Sequence, residues 1–128
     1  MRILLDTHAW LWWITDDQKL SRSARELLTS GRNELFLSVA GLWEVVAKAQ
    51  IGKLPFPKPS APYLQQQLAK SGVRVLPILL DHVFRLEDLP LHHRDPFDRI
   101  LIAQSLEEGM PILTADPLLK AYSATLLW

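Results

Sequence analysis

Four carboxylates at widely separated positions are the residues of this sequence best suited to chemistry: Asp6, Glu44, Asp98 and Asp116. Acids gathered at one place repel one another, and a divalent cation relieves that repulsion. Because the chain has no cysteine, any metal ligands must come mainly from oxygen, which favours Mg²⁺ or Mn²⁺. If the fold brings these acids together, the sequence predicts a metal site that can activate a water molecule.

Two of these acids follow predicted strands. Asp6 ends the aliphatic run 3–5, and Asp116 comes shortly after the run 112–114. Short apolar runs of this kind are typical of buried strands in a parallel sheet. Each acid also has an ordinary structural interpretation, because Asp is a favoured helix N-cap and Asp116 precedes a proline. The local sequence leaves both interpretations open.

Asp98 is predicted on the inward face of a helix. Asp95 followed by Pro96 indicates the helix start, and Gly109 indicates its end. Asp98 shares one face of this helix with apolar residues such as Leu101, so we expect it to point inward. A role that only complements the helix dipole is the alternative.

Glu44 lies in an apolar stretch of another predicted helix. It is the only charged residue from Val39 to Ala47, and a solvated glutamate rarely has such neighbours. Pairing with Lys48, one helical turn later, is the structural alternative. We therefore consider Glu44 a candidate fourth ligand.

The rest of the sequence defines the framework that must position these acids. Strands are predicted at 2–7, 35–37, 73–76, 112–114 and 124–127, and helices at 8–15, 21–31, 38–50, 61–70, 81–88, 95–109 and just after 116. This alternation favours an α/β fold with a small, mainly parallel sheet flanked by helices on both faces. Such sheets bind ligands beyond the carboxyl ends of their strands, where Asp6 and Asp116 are predicted to lie.

Composition limits the class of protein. The 128 residues, 48% of them hydrophobic, fit a single domain over 1–128 that needs no disulfide. The absence of cysteine is compatible with a reducing cytoplasm. Asp6 interrupts the first apolar run, so we expect neither a signal peptide nor a membrane span. Lys plus Arg equals Asp plus Glu at 14 each, so a nucleic-acid partner would need a local basic patch.

Histidines offer a zinc site as an alternative metal centre. His92 and His93 lie close to Asp95 in sequence, and His8 lies close to Asp6. No HExxH or other histidine pair at one-turn spacing is present, which disfavours zinc. A phosphohydrolase of small substrates is disfavoured as well, because the first strand ends in Asp-Thr-His and lacks a paired Asp-x-Asp.

The sequence resembles the PIN-domain ribonucleases, in particular the VapC-type toxins of toxin–antitoxin pairs. The resemblance covers nearly the whole chain and rests on four segments in order: MRILLDTHAWLWW, SVAGLWEVVAKAQIGKL, LPLHHRDPFDRILIAQS and ILTAD. It implies a PIN-like fold and an endoribonuclease that uses Mg²⁺ or Mn²⁺ to cut single-stranded or loop RNA. The acids of the family fall on Asp6, Glu44, Asp98 and Asp116.

The resemblance also suggests secondary site residues. Thr7 and Thr114 match small hydroxyl residues often found beside these acids. Asp95 is a further candidate because the DxxD spacing offers two acids, although Asp98 fits better because the aliphatic run DRILIA follows it directly. We expect a basic rim to bind RNA phosphates, formed by Lys48, Arg94 and Arg99, with Lys53 further out. Ordinary solvated surface charge is the alternative for these cations.

The same resemblance predicts partners and location. It implies a cytoplasmic protein with a VapB-type antitoxin, whose arginine would pair with the carboxylates in place of metal. The tryptophans are expected mainly in the core, but part of the apolar surface of two helices should be exposed and form a groove near Glu44. The candidates for this surface are Trp10, Leu11, Trp13, Ile14, Trp43, Val46 and Ile51. A separate apolar patch is expected to form a two-fold homodimer. The alternative function is a non-catalytic module that binds protein through the tryptophan-rich helix.

Overall fold

The framework of the protein is a parallel sheet, seen in a computed structural model that describes residues 1–92 and 94–128. Its five strands are β1 (Arg2–Leu5), β2 (Glu34–Ser38), β3 (Arg74–Leu76), β4 (Ile112–Leu113) and β5 (Leu126–Leu127). They are ordered β3-β2-β1-β4-β5, so β1 lies at the centre. Every pairing between these strands is parallel, and the carboxyl ends of the strands therefore meet at one edge of the sheet.

Helices connect the strands. They are α1 (Thr7–Ile14), α2 (Arg22–Thr29), α3 (Val39–Gln50), α4 (Ser60–Ser71), α5 (Leu80–Arg85) and α6 (Pro96–Glu108), with 3-10 turns at Leu86–Asp88 and Pro117–Ala121. The α/β fold expected from the sequence is confirmed. Within residues 1–92 and 94–128, none of these helices has the length and apolar character needed to span a membrane.

Both faces of the sheet are covered because side chains alternate along each strand. On β1, Ile3 and Leu5 pack into a core shared with residues of α1, α2 and α4. Leu4 packs on the opposite face into a second core that contains residues of α6. All three side chains are completely buried. Burial on both faces explains why the strands have continuous apolar sequences.

The structure shortens several predicted elements. The strand predicted at 124–127 is reduced to β5, because β5 pairs only with the two residues of β4. The helix predicted at 81–88 is divided into α5 and a 3-10 turn, and the segment after Asp116 is also a 3-10 turn. The central strand ends at Leu5, so Asp6 and Thr7 lie beyond it, at the start of α1.

A buried histidine joins α5 to α6. The Leu79 backbone N–H donates to His82 Nδ1 at 2.9 Å, so Nε2 carries the ring proton and donates to Glu108 Oε1 at 2.8 Å. His82 is completely buried, and its partners are on the protein itself. Among the described histidines, this one therefore has a structural role.

Trp10 belongs to the core, as expected for most of the tryptophans, and not to the groove for which it was also a candidate. Trp10 is completely buried, and its indole N–H donates to Ser71 Oγ at 3.3 Å. Leu11 is buried as well, and Trp13 and Ile14 are half-buried against the same core. The reason is that α1 is covered by neighbouring elements on more than one side, which helical periodicity does not indicate.

Candidate active site

Asp6 lies at the carboxyl end of the central strand. Its backbone N–H donates to Leu113 O at 3.0 Å, which continues the pairing of β1 with β4. Although Asp6 precedes α1, its side chain makes no capping hydrogen bond. The carboxylate oxygen Oδ2 instead accepts a hydrogen bond from the Thr114 hydroxyl at 2.7 Å. Asp6 is only 8% exposed and its Oδ2 is engaged by Thr114, so capping alone does not account for its side chain.

Thr114 links Asp6 to the second strand-end acid. Its hydroxyl oxygen accepts a hydrogen bond from the Asp116 backbone N–H at 3.0 Å while it donates to Asp6. Asp116 Oδ1 accepts from the Leu118 backbone N–H at 2.9 Å, as expected for an N-cap before proline. Asp116 is therefore a cap and also a neighbour of Asp6. Asp6 and Asp116 line a common cavity of about 270 Å³ together with His8 and Trp12.

The electrostatic environment disfavours a charge on Asp6. Burial raises the pKa of the Asp6 carboxyl above its ordinary value of 3.8, and the nearby Asp116 contributes in the same direction. The hydrogen bond from Thr114 and the proximity of His8 lower this pKa and offset part of the increase. Ionised Asp6 consequently costs free energy in the protein alone, and a bound cation would offset that cost.

The two helix-borne acids lie near Asp6 at a different cavity. Asp6, Glu44 and Asp98 line a narrow cavity of about 10 Å³, which we call the acidic cavity. This volume is roughly what a single water molecule requires. Glu44 Oε2 also accepts from Lys48 Nζ at 3.0 Å, so the pairing considered from the sequence is present. Pairing with Lys48 and lining the cavity are compatible roles for one carboxylate.

A glycine permits the close approach of α1 and α3 at this cavity. A Cβ atom added at Gly41 would lie 2.6 Å from the Thr7 hydroxyl oxygen, well inside van der Waals contact. Gly41 and Thr7 both line the acidic cavity. Gly41 is not among the site residues predicted from the sequence. A glycine inside a helix costs about 1 kcal/mol relative to alanine, and this cost is the signal that could have identified it.

Trp43 and Phe97 form an apolar border beside the acidic cavity. Their rings meet edge to face, with centroids 5.1 Å apart, and Phe97 lines the cavity. Trp43 is nonetheless 65% exposed, and Val46 and Ile51 are exposed on the same helix. The exposure of these residues thus agrees with the expected groove, whereas the complete burial of Trp10 excludes it from that groove.

The other predicted residues are placed as follows. Asp95 is exposed, and its Oδ1 accepts from the backbone N–H groups of Phe97 and Asp98 at 2.9 and 3.2 Å, so it caps α6. Arg94 is exposed. Arg99 donates to the backbone oxygens of Pro90 and Leu86, which holds the loop before α6. Its predicted contact with RNA, like that of Arg94, stays a prediction.

The histidines of the zinc alternative are separated in the described part of the chain. His8 is exposed and lies near Asp6, whereas His92 packs edge to face on Tyr122 with ring centroids 5.0 Å apart. His93, the other histidine of that alternative, lies outside the described residues.

The oxygen atoms offered by the candidate ligands are chemically suited to a hard divalent cation. Carboxylates from two strand ends and two helices, with the Thr114 hydroxyl behind Asp6, offer only oxygen. As the side chains stand, no group of three acidic or histidine side chains among residues 1–92 and 94–128 is close enough to hold one ion. One of these carboxylates, Glu44, is held by its pair with Lys48.

This fold and site define a class of protein. Its members are α/β proteins whose parallel sheet carries acids at its carboxyl edge. A family model of the PIN domain matches residues 3–124, and the chain belongs to that family. The resemblance stated from the sequence is thereby confirmed.

Three similar proteins illustrate this membership. Ribonuclease VapC22 of Mycobacterium tuberculosis is 29% identical over 121 residues, which cover 94% of this chain and 91% of the relative. Ribonuclease VapC16 of the same organism is 36% identical over 58 residues, but these span only 45% of this chain and 40% of the relative. A VapBC2 structure from Rickettsia felis, bound to a promoter DNA fragment, superposes with a TM-score of 0.74 at 15% identity, covering 99% of this chain and 98% of that one. This last likeness concerns the fold alone.

Proposed function

We propose that this protein is an endoribonuclease that uses Mg²⁺ or Mn²⁺ to cut single-stranded or loop RNA. The main support is the position of Asp6, which lines one cavity with Glu44 and Asp98 and another with Asp116. Asp6 therefore takes part in two acid-lined cavities at the carboxyl edge of the sheet. The similarity to two proteins named as VapC ribonucleases supports the class of reaction.

The side chains would divide the work as follows. Asp6 would be the central ligand, held in orientation by the Thr114 hydroxyl. Asp98 and Asp116 would be further ligands, and Glu44 would exchange its Lys48 partner for the cation. The bound ion would lower the pKa of its water and stabilise charge on the phosphate oxygens. None of the carboxylates needs to act as a general base.

Cleavage of a labelled single-stranded RNA tests this proposal. We expect the parent protein to cut in Mg²⁺ or Mn²⁺, to stop in EDTA, and to recover when the metal is restored. Asp6→Asn should fold and lose at least about 100-fold in rate, because it removes a charge aimed at the reacting centre. Equal cleavage with and without EDTA would contradict the proposed requirement for a metal ion. RNA binding without cleavage would favour the non-catalytic module.

We also propose that a VapB-type antitoxin covers this site in the cytoplasm. The exposed apolar residues Val39, Trp43 and Val46 lie on α3, and the Trp43–Phe97 contact joins them to the acidic cavity. An amphipathic helix that packs on this surface would bring an arginine within reach of the carboxylates. The arginine would then replace the cation as their counter-charge.

A homodimer through α5 completes the proposed assembly. Four neighbouring residues at this helix are exposed although they are apolar: Leu79, Leu80, Val83 and Phe84. Apolar surface of this kind is what an isologous two-fold interface buries. This surface belongs to a different helix from the one proposed for the antitoxin.

Two variants separate these interfaces and serve as controls for each other. Trp43→Ser should weaken antitoxin binding and leave the sedimentation coefficient of the free protein unchanged. Phe84→Ser should shift free protein toward monomer and leave antitoxin affinity per chain unchanged. Both residues are exposed, so neither change removes core packing. Unchanged antitoxin affinity in folded Trp43→Ser would place that interface elsewhere, and a parent that is monomeric at high micromolar concentration would contradict the dimer.

A further inference from the structure

A larger cavity lies next to the acidic cavity, with a volume of about 330 Å³. Lys48 and Lys53 form its cationic wall, and Leu11 and Leu54 contribute apolar surface. We call it the lysine cavity. It is joined to the acidic cavity through Glu44, which lines both. A cavity of this size is at the lower end of the range that holds small organic ligands.

The end of α3 places the two lysines side by side. Gly52 has a φ of +77°, and its N–H donates to Ala49 O at 3.1 Å. The Lys53 N–H donates to Lys48 O at 2.9 Å. These two hydrogen bonds form a Schellman motif, which reverses the chain at the helix end. The left-handed glycine is therefore what returns Lys53 to the side of Lys48.

The charge of the lysine cavity differs from that of the cavity that Asp6 shares with Asp116. Only Glu44 offsets the two lysines, and its carboxylate already pairs with Lys48. Lys53 is exposed, so its ammonium is accessible to a ligand. The cavity shared by Asp6 and Asp116 has Trp12 and His8 in its wall but no lysine or arginine. An anion next to the acidic centre would thus be held on the lysine side.

We propose that the lysine cavity binds the RNA nucleotide next to the scissile phosphate. Lys53, assisted by Lys48, holds the phosphate of that nucleotide, and Leu11 and Leu54 contact its base or ribose. The inference rests on the proposed ribonuclease function and deepens it by naming the cations that hold the substrate. It also explains how a protein with a net charge of zero can bind RNA, since the positive charge is concentrated at one cavity.

Salt dependence of RNA binding tests the phosphate contact directly. The binding constant of a short labelled single-stranded RNA is measured by fluorescence anisotropy at several salt concentrations, in an Asp6→Asn background that does not cut the probe. Lys53→Gln should reduce the magnitude of the slope of log K against log salt by about 0.7, the value for one phosphate contact to a single strand. Lys70→Gln is the matched control, because Lys70 is an exposed lysine at the end of α4.

Lys53 is preferable to Lys48 for this test because a change at Lys48 would also release Glu44. A second variant, Gly52→Ala, strains the left-handed turn and should reduce the slope in the same direction without removing any charge. Gly31→Ala is its control, since an added Cβ at Gly31 meets nothing within 4 Å.

In the protein with Asp6 intact, Lys53→Gln should raise KM several-fold and leave kcat within about twofold, as for a contact made equally in ground and transition states. Parent-like slopes for Lys53→Gln in a protein that cuts RNA would overturn the lysine cavity and leave the ribonuclease proposal standing. A Lys53-dependent slope in a protein that never cuts RNA would retain the cavity as a binding site and overturn the ribonuclease proposal.

Discussion

The acids at the strand ends and the acids on the helices are held in different ways. The Asp6 carboxylate accepts a hydrogen bond from the Thr114 hydroxyl, the Asp116 backbone N–H donates to the same hydroxyl, and Asp6 is buried. Glu44 and Asp98 project from α3 and α6 toward a narrow cavity, and Glu44 pairs with a flexible lysine. The sheet thus fixes one half of the site in the absence of a cation. The other half depends on how closely two helices approach the sheet edge.

The largest expected effect separates two acids at the start of α6, Asp95 and Asp98. Asp98 lines the acidic cavity, whereas Asp95 is exposed and caps α6 with hydrogen bonds to backbone N–H groups. We expect Asp98→Asn to lose at least about 100-fold in RNA cleavage, as for loss of a charge at the reacting centre. Cleavage rates at saturating Mg²⁺ measure this directly.

Asp95→Asn is the matched control for this prediction. Asn is about as good an N-cap as Asp, so stability should change by only a few tenths of a kcal/mol and cleavage by less than about threefold. A 100-fold loss in Asp95→Asn together with parent-like Asp98→Asn would reverse the assignment of the two acids.

A smaller effect is expected where the helical half touches the start of α1. Gly41→Ala must move the Thr7 hydroxyl or separate α1 from α3, since the new Cβ would lie 2.6 Å from the Thr7 oxygen. Overpacking costs about 1–3 kcal/mol, and better helix propensity returns about 1 kcal/mol. We therefore expect a net loss of about 1 kcal/mol in urea unfolding and about a tenfold loss of cleavage.

The Gly41 prediction can be contradicted in two ways. Gly31→Ala, where an added Cβ has no neighbour within 4 Å, should leave both quantities unchanged. A Gly41→Ala protein that is more stable than the parent and cuts RNA at the parent rate would show that the close approach of α1 and α3 has no importance for the site.

Much of the fold could be predicted from the sequence because its strands and helices obey local rules. The aliphatic run at residues 3–5 indicated a two-sided buried strand, and the Asp95-Pro96 pair located the start of α6. Periodicity failed for α1, because Trp10 and Trp13 both belong to its apolar surface and only tertiary packing decides which is buried. The buried indole N–H of Trp10 donates to Ser71, which is far away in sequence.

The acids themselves could be identified from the sequence, but the contacts that link them could not. Apolar neighbours singled out Glu44 and Asp98 because burying an acid is costly. The Thr114 bridge between Asp6 and Asp116 depends on the register of β1 against β4, which pairs Leu5 with Leu113. The lysine cavity depends on Gly52, which a sequence marks only as a helix stop. Both features arise from long-range or turn geometry.

The smallest expected effect is a pH dependence confined to the strand-end half. In the folded protein, burial raises the pKa of Asp6 above 3.8, so the ionised form destabilises the fold and the protonated form does not. The favourable contribution of protonated Asp6 is therefore complete below pH 3.8 and is lost as the pH rises through the folded-state pKa.

Asp6→Asn cannot lose a proton, so without metal it should melt at a higher temperature than the parent at pH 7. This difference should shrink as the pH is lowered toward 4, and saturating Mg²⁺ should remove it by stabilising only the parent. Melting curves of both proteins in EDTA and in Mg²⁺ measure these differences. A pH-independent difference, or equal stabilisation of both proteins by Mg²⁺, would show that Asp6 is neither an unfavourable buried charge nor a ligand of the ion.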